Sequence, residues 1–295
     1  MDSLWGVTSR NSTKRKDGTT SFPNGYRRSR WHLIRGVTLD IEKECRELGN
    51  SLLVVGEHIR TGAEARIFLG TFLGRKVIIK DRYPRGYRLK ELDLVLRRKR
   101  VRSEARLLVE AREFGILTPR ILDQDIVKCV LVLEYLPFYS LKEVLAGVIG
   151  DEMVEGVGNE GEVVEDEWNG GVEVGNRENG EARAMSQLRG LLRKTGKLIG
   201  ILHANNIVHG DLTTSNILVN GEELHFIDFG LAEKTGEVEN KGVDLHVFAE
   251  AFESTHSPLM WLLPTFFEGY MGGNPGGGKE VITRVGEISK RGRYS

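Results

Sequence analysis

Short runs of branched apolar residues mark the chain between Ser51 and Leu136, interrupted by one stretch of helical spacing, and helical spacing dominates from about Ala184. From Ser51, the segments SLLVVGEHIR, ARIFLGTFLG and RKVIIK are short and rich in branched residues, with a turn at Thr61 and Gly62, which predicts three antiparallel strands. From about Tyr87 to Phe114 the apolar residues fall three and four apart among many Arg and Lys, predicting one or two helices closed by Gly115 and Pro119. A second β pair, RILDQDI and KCVLVLEYL, ends at Pro137. Helical periodicity returns from about Ala184 to Asn205, a strand pair is expected around NILVN and ELHFIDF, and helices follow. The last stretch, MGGNPGGGKEVITRVGEISKRGRYS, combines a glycine run with a basic end and reads as partly a tail.

Composition sharpens the boundaries. At 295 residues and 40% hydrophobic content the chain has room for two packed lobes or one large domain. Residues 1–45 hold nine Lys or Arg against five acids with no steady apolar period, as expected of a disordered basic extension. Residues 151–181 hold eleven acids, one Arg and seven Gly, too little apolar surface to order, and read as an acidic disordered insertion. The net charge of +0 hides this segregation. Cys45 and Cys129 are too few for a disulfide framework or a cysteine metal site and point to a reducing compartment. No signal-type leader and no run of about 18 apolar residues is seen, so a soluble, intracellular protein without a membrane segment is expected.

The chemistry is concentrated in three ordered elements. His209-Gly210-Asp211 is followed by Asn216, five residues beyond Asp211, and then by Asp228-Phe229-Gly230 at the end of an apolar strand. That order is the one found in kinase catalytic and metal loops: an Asp handles the acceptor hydroxyl, while an Asn and a second Asp supply hard oxygen ligands for Mg²⁺. Capping carboxylates alone do not predict the full spacing. Lys80 ends RKVIIK, where a lysine reaches the α and β phosphates of ATP. Its helical partner is expected to be Glu104, with Val101, Leu107, Leu108 and Ala111 on its face; Glu110, beside Arg106 and Glu113, is the runner-up. The phosphate-covering turn, Thr61-Gly62-Ala63-Glu64-Ala65, has one glycine where kinases have three, and Glu64 calls for a compensating cation or polar partner. Glu134 and Leu136, in the hinge, complete the nucleotide-binding set.

Two departures concern regulation. Gly210 stands where many kinases carry an arginine that reads an activation-loop phosphate. Only residues 231–240 separate Gly230 from Lys241-Gly242-Val243-Asp244, too short for a long activation segment. Asp244 is expected to start a helix and to brace the catalytic loop.

GAEARIF, VIIKDRYPRGYR, the SEAR segment around Glu104, IVHGDLTTSNILV, IDFGLA, KGVDLHVFAEAFESTH and the terminal RGR together resemble the small atypical serine/threonine kinase of the KEOPS (EKC) complex, the Bud-site-selection or PRPK-type family. The resemblance covers residues 61–145 and 184–295. It implies an α+β, bilobal protein-kinase-like fold with a small β-rich N-lobe (46–136) and a reduced helical C-lobe (137–150 and 182–280), followed by a basic C-terminal segment (281–295). It implies ATP and Mg²⁺ as cofactors, Asp211, Lys80 and Glu104 as catalytic residues, and Asn216 and Asp228 as metal ligands. It further implies ATP turnover in support of threonylcarbamoyl-adenosine formation on tRNA, with the threonylcarbamoyl-transferase subunit and small accessory subunits as partners, in cytoplasm and nucleus. The basic tail resembles the family's contact with the transferase subunit. Residues 82–106, with ten Lys or Arg against three acids, would suit tRNA phosphate, an acidic partner or plain solvation. The competing readings are a small-molecule kinase of the aminoglycoside or choline type and a non-catalytic scaffold. The first needs a large acceptor lobe, which the 65 residues after Gly230 do not supply; the second does not need the intact Lys80, Asp211, Asn216 and Asp228.

Overall fold

The computed structural model describes residues 53–62, 64–154 and 177–292. The predicted 1–45 extension, most of the acidic insertion and Ala63 of the phosphate-covering turn lie outside these residues.

The N-lobe begins with β1 (Leu53–Thr61), β2 (Arg66–Phe72) and β3 (Arg75–Asp81), continues through α1 (Lys90–Glu113), and returns as β4 (Ile121–Asp125) and β5 (Val130–Glu134). These strands form one antiparallel sheet in the order β1-β2-β3-β5-β4, the expected sheet with one helical excursion. The tract expected to give one or two helices is a single helix, and Tyr87 precedes it. Because successive side chains of a strand alternate between its faces, Val77 and Ile79 pack with Leu53, Phe68, Val130 and Val132 on one side. Ile78, Leu131 and Leu133 pack on the other, with Leu107 and Leu108 of α1. Lys80 and Arg82 continue the Ile78 side, so two cations leave β3 toward α1.

The C-lobe follows as β6 (Tyr139–Ser140), α2 (Leu141–Val154), α3 (Arg177–Ala204), β7 (Ile207–Val208), β8 (Ile217–Asn220), β9 (Glu223–Phe226), β10 (Glu233–Lys234), α4 (Val238–Thr255), α5 (Leu263–Gly273) and α6 (Gly278–Gly292). Ser140 and Glu143 cap α2 reciprocally: the Ser140 amide donates to Glu143 Oε2 at 2.7 Å and the Glu143 amide donates to Ser140 Oγ at 3.2 Å. β6, β8 and β9 form a small sheet, and the Phe226 amide donates to the Leu117 carbonyl at 2.8 Å, tying the floor of the C-lobe to the N-lobe.

Two helices meet backbone to backbone. Gly196 and Gly200 on α3 face Gly269 and Gly273 on α5, and a Cβ at any of the four would collide with main-chain atoms of the opposite helix. Phe266 and Tyr270 fill the space beside this contact, both fully buried.

Some boundaries move. α2 reaches Val154 and α3 starts at Arg177, so helix enters both ends of the 151–181 segment, and residues 155–176 are not among the described ones. The glycine-rich end is not a tail within the described residues: Asn274 Oδ1 accepts from the Gly277 amide at 3.2 Å, turning the chain from α5 into α6. The apolar Val281, Val285 and Ile288 recur at helical spacing, with Val281 and Val285 buried in the main core. A boundary between 280 and 281 therefore falls inside a helix.

Candidate active site

β3, α1 and the loops after β7 and β9 converge on one cleft. Lys80 Nζ donates to Glu104 Oε1 at 2.6 Å and also pairs with Asp228 Oδ1. Burial pushes the Lys80 ammonium down, but the charges of Glu104 and Asp228 outweigh it and leave its pKa raised. Burial likewise pushes Asp228 up, and Lys80 more than offsets this, so the carboxylate titrates below its ordinary range. Asp228 adopts a left-handed conformation, φ 62°, and its Oδ1 accepts from the Gly230 amide at 3.2 Å. Such a conformation is unusual for a non-glycine residue and is held here by these partners.

Glu104 is the inward glutamate; its neighbours Val101, Leu107, Leu108 and Ala111 are all buried. The runner-up, Glu110, pairs instead with Lys234. The second oxygen of Glu104 is taken by a residue that sequence reasoning missed: Arg82 Nη2 donates to Glu104 Oε2 at 2.6 Å and to the Gly230 carbonyl at 3.4 Å. Arg82 is only 1% exposed. Counting by two from Ile78 would have found it.

Asn216 binds back to Asp211, its Nδ2 donating to the Asp211 carbonyl at 2.8 Å and to Asp211 Oδ2 at 3.0 Å. His209 Nε2 donates to the Ile227 carbonyl at 3.0 Å, and the Asp211 amide donates to His209 Nδ1 at 3.4 Å. The loop hangs on Asp244, whose Oδ2 accepts from the His209 amide and whose Oδ1 accepts from the Gly210 amide, both at 2.9 Å. Asp244 braces the loop as expected, but α4 begins at Val238, so the residue sits well inside the helix rather than at its start. Burial pushes its carboxyl up; the hydrogen bond and charge of His203, with His209, bring it below the ordinary range. His203, also missed, bridges Asp244 Oδ2 at 3.1 Å and the Tyr270 hydroxyl at 2.9 Å.

Gly210 has φ 79°, and a Cβ would collide with the Leu231 carbonyl. The missing arginine thus has a steric reason. The chain after Gly230 is held down at once, β10 pairing with β7 and the Thr235 amide donating to the Asn206 carbonyl at 2.8 Å.

In the turn expected to cover phosphate, Thr61 ends β1, the Gly62 amide donates to the Ala65 carbonyl at 2.8 Å, and Ala65 is buried. Glu64 has its cation: Arg100 pairs with it, and Arg82 Nη1 lies 3.9 Å from the same oxygen. Glu134 ends β5 and gives its amide to the Arg120 carbonyl at 2.9 Å, while its Oε2 accepts from the Arg120 amide at 3.2 Å. Leu136, half-buried, lies in the segment between β5 and β6.

The basic tract of α1 is partly spent internally. Arg97 donates to Asp93 Oδ2 at 2.7 Å and to the Arg82 carbonyl at 3.1 Å, and Arg88 lies 3.6 Å from Asp93. With Arg82 and Arg100 facing Glu104 and Glu64, the exposed basic positions of α1 within residues 82–106 are Lys90, Lys99, Arg102 and Arg106.

The oxygen donors suit Mg²⁺ brought with a nucleotide. Among the described residues no three His, Cys, Asp or Glu side chains form a cage, and Mg²⁺ is commonly held by one or two protein oxygens plus phosphates. Asp228 offers a carboxylate 42% exposed to the cleft, beside an Asn216 whose amide nitrogen is already bonded to Asp211.

A family model described as protein tyrosine and serine/threonine kinase matches residues 53–264. The chain is 36% identical over 246 residues to the KEOPS complex subunit Bud32 of Pyrococcus abyssi, covering 80% of this chain and 95% of that protein. It is 32% identical over 218 residues to a probable serine/threonine-protein kinase BUD32 homolog of Archaeoglobus fulgidus, covering 74% and 88%. It is also 38% identical over 241 residues to a probable bifunctional tRNA threonylcarbamoyladenosine biosynthesis protein of Methanosarcina acetivorans; this covers 81% of the chain but only 36% of that longer relative.

Proposed function

Because the chain belongs to the protein tyrosine and serine/threonine kinase family and, within it, to the Bud32 kinases, we propose that it is a Mg-ATP-dependent phosphotransferase and ATPase serving a KEOPS/EKC assembly. Its turnover there supports threonylcarbamoyl-adenosine modification of tRNA, through a threonylcarbamoyl-transferase subunit and small accessory subunits. The observation that carries the reading is the placement of Lys80 between Glu104 and Asp228.

Lys80 holds the α and β phosphates, and Asp211, oriented by Asn216, accepts the proton of the attacking hydroxyl as its oxygen bonds to Pγ and the Pγ–O bond to ADP breaks. Mg²⁺ at Asn216 and Asp228 would draw charge from the phosphate oxygens. The attacking hydroxyl belongs either to a protein serine or threonine or to water. With only residues 232–237 between the Phe229–Leu231 turn and α4, little chain is available to dock a peptide, which favours water when the subunit acts within its assembly.

The test is ATP hydrolysis by wild type and Asp211→Ala, each with and without the transferase subunit. Loss of turnover in the variant, with Mg-ATP still bound, is the expected result. Equal turnover in both would overturn catalysis and leave a scaffold. For tRNA, charge reversal at Lys99, Arg102 and Arg106 should weaken binding and lower its salt dependence by about one counterion for each phosphate no longer neutralised. Reversal at Arg97 should lower stability instead, because that side chain holds Asp93 and the Arg82 carbonyl.

A further inference from the structure

The one-glycine turn carries a carboxylate toward a site that must receive polyphosphate, and simple electrostatics would have Glu64 repel the ligand. Its charge is already engaged from two elements. Arg100, one helical turn before Glu104 on α1, pairs with Glu64, and Arg82 at the end of β3 faces the same oxygen at 3.9 Å. Arg82 Nη1 is fully buried and has no hydrogen-bond partner among the described residues, so Glu64 is the anion it faces. Arg82 also holds Glu104, which holds Lys80, which holds Asp228. One chain of ion pairs therefore runs from the turn, across β3 and α1, to the metal loop. Arg85 adds a second tie, Nη2 donating to the Gly62 carbonyl at 3.4 Å.

We propose that Glu64 is a positioning residue whose ion pairs with Arg100 and Arg82 latch the phosphate-covering turn onto α1 and β3. A turn rich in glycine wraps phosphates by flexing; one with a single glycine has less freedom, and the latch sets its height over the cleft before the nucleotide arrives. The inference rests on the Mg-ATP reading above and adds to it the means by which this turn is held.

The latch and simple repulsion predict opposite signs. Mg–AMP-PNP is titrated calorimetrically into the full chain for wild type, Glu64→Gln, Arg100→Gln, the double variant, and the swapped pair Glu64→Arg with Arg100→Glu. Each single variant should weaken binding roughly three- to five-fold, the partly exposed character of the pair setting the scale. The double variant should be no weaker than either single one, and the swap should return to within about two-fold of wild type. Tighter or unchanged binding by Glu64→Gln, or additive losses in the double variant, overturns the latch while leaving the nucleotide reading intact. A wild type that does not bind Mg–AMP-PNP overturns both. A thermal melt of each variant must match wild type for a binding loss to count for the latch; a loss that tracks the melting temperature counts against it.

Discussion

Glu104 holds two cations, Lys80 on one carboxylate oxygen and Arg82 on the other, all three side chains nearly sealed from water. Removing one charge of such a buried group strands its partners, so Glu104→Gln should cost about 3 kcal/mol or more, read as a lowered melting temperature together with weakened Mg-ATP binding. Asp211→Asn should separate the roles differently: turnover falls at least about 100-fold, while nucleotide affinity stays near wild type in the same titration. Gly210→Arg, which restores the arginine of regulated kinases, should lose activity rather than gain control, because φ 79° and the Leu231 carbonyl leave no place for a side chain; a hydrolysis assay decides. The meeting of Lys80 with Asp228, and of Asn216 with Asp211, was legible in the order and spacing of these residues along the chain. Glu104 was legible from the apolar spacing of its helix. Arg82 was less so, since a charged residue just past a strand ordinarily faces solvent. His203 and Tyr270 lie 67 residues apart and meet only through the fold, with no local pattern to announce the pair.

At the level of elements, the α3–α5 contact decides how the C-lobe packs. Gly196→Ala would push a methyl group into the Phe266 carbonyl, and separating the helices should cost about 3 kcal/mol, measured by denaturant unfolding. Gly190→Ala on the same α3 meets nothing within 4 Å and should instead stabilise by roughly 0.5–1 kcal/mol. The strands were legible as short runs rich in branched residues, and the long helix α1 because its 3.6-residue period is carried by buried residues. The end of the chain was not: a glycine run beside Lys and Arg reads as a tail, and only the Asn274 cap and the burial of Val281 and Val285 mark the helix that follows. The placement of Asp244 inside α4 was missed for a related reason, since a buried acid in a helix has the same local look as a capping one.

For the molecule as a whole, its buried charges set a pH window. The lowered pKa values of His225 and His256, due mainly to burial, mean that the folded state favours neutral imidazoles, so stability should begin to fall as pH drops below about 6.5. Asp93, Asp228 and Asp244, held below the ordinary carboxylate range, contribute stability that is fully present above about pH 4 and lost as pH falls through their folded values. Lys80, raised, contributes below about pH 10.4 and loses that contribution as pH rises through its folded value. Melting temperature measured across pH should therefore decline on the acid side in two stages, and Asp244→Asn should flatten the second. The stitched segment between Gly230 and α4 has a different kind of consequence. A kinase with a long phosphorylatable loop keeps a covalent record there of a past event and stays switched on after the event has ended. Between Gly230 and α4 this chain has no long loop to carry such a record, and the one hydroxyl there, Thr235, is tied into a turn by the Glu237 amide at 3.1 Å, so that stretch is built to hold its shape rather than to keep a history.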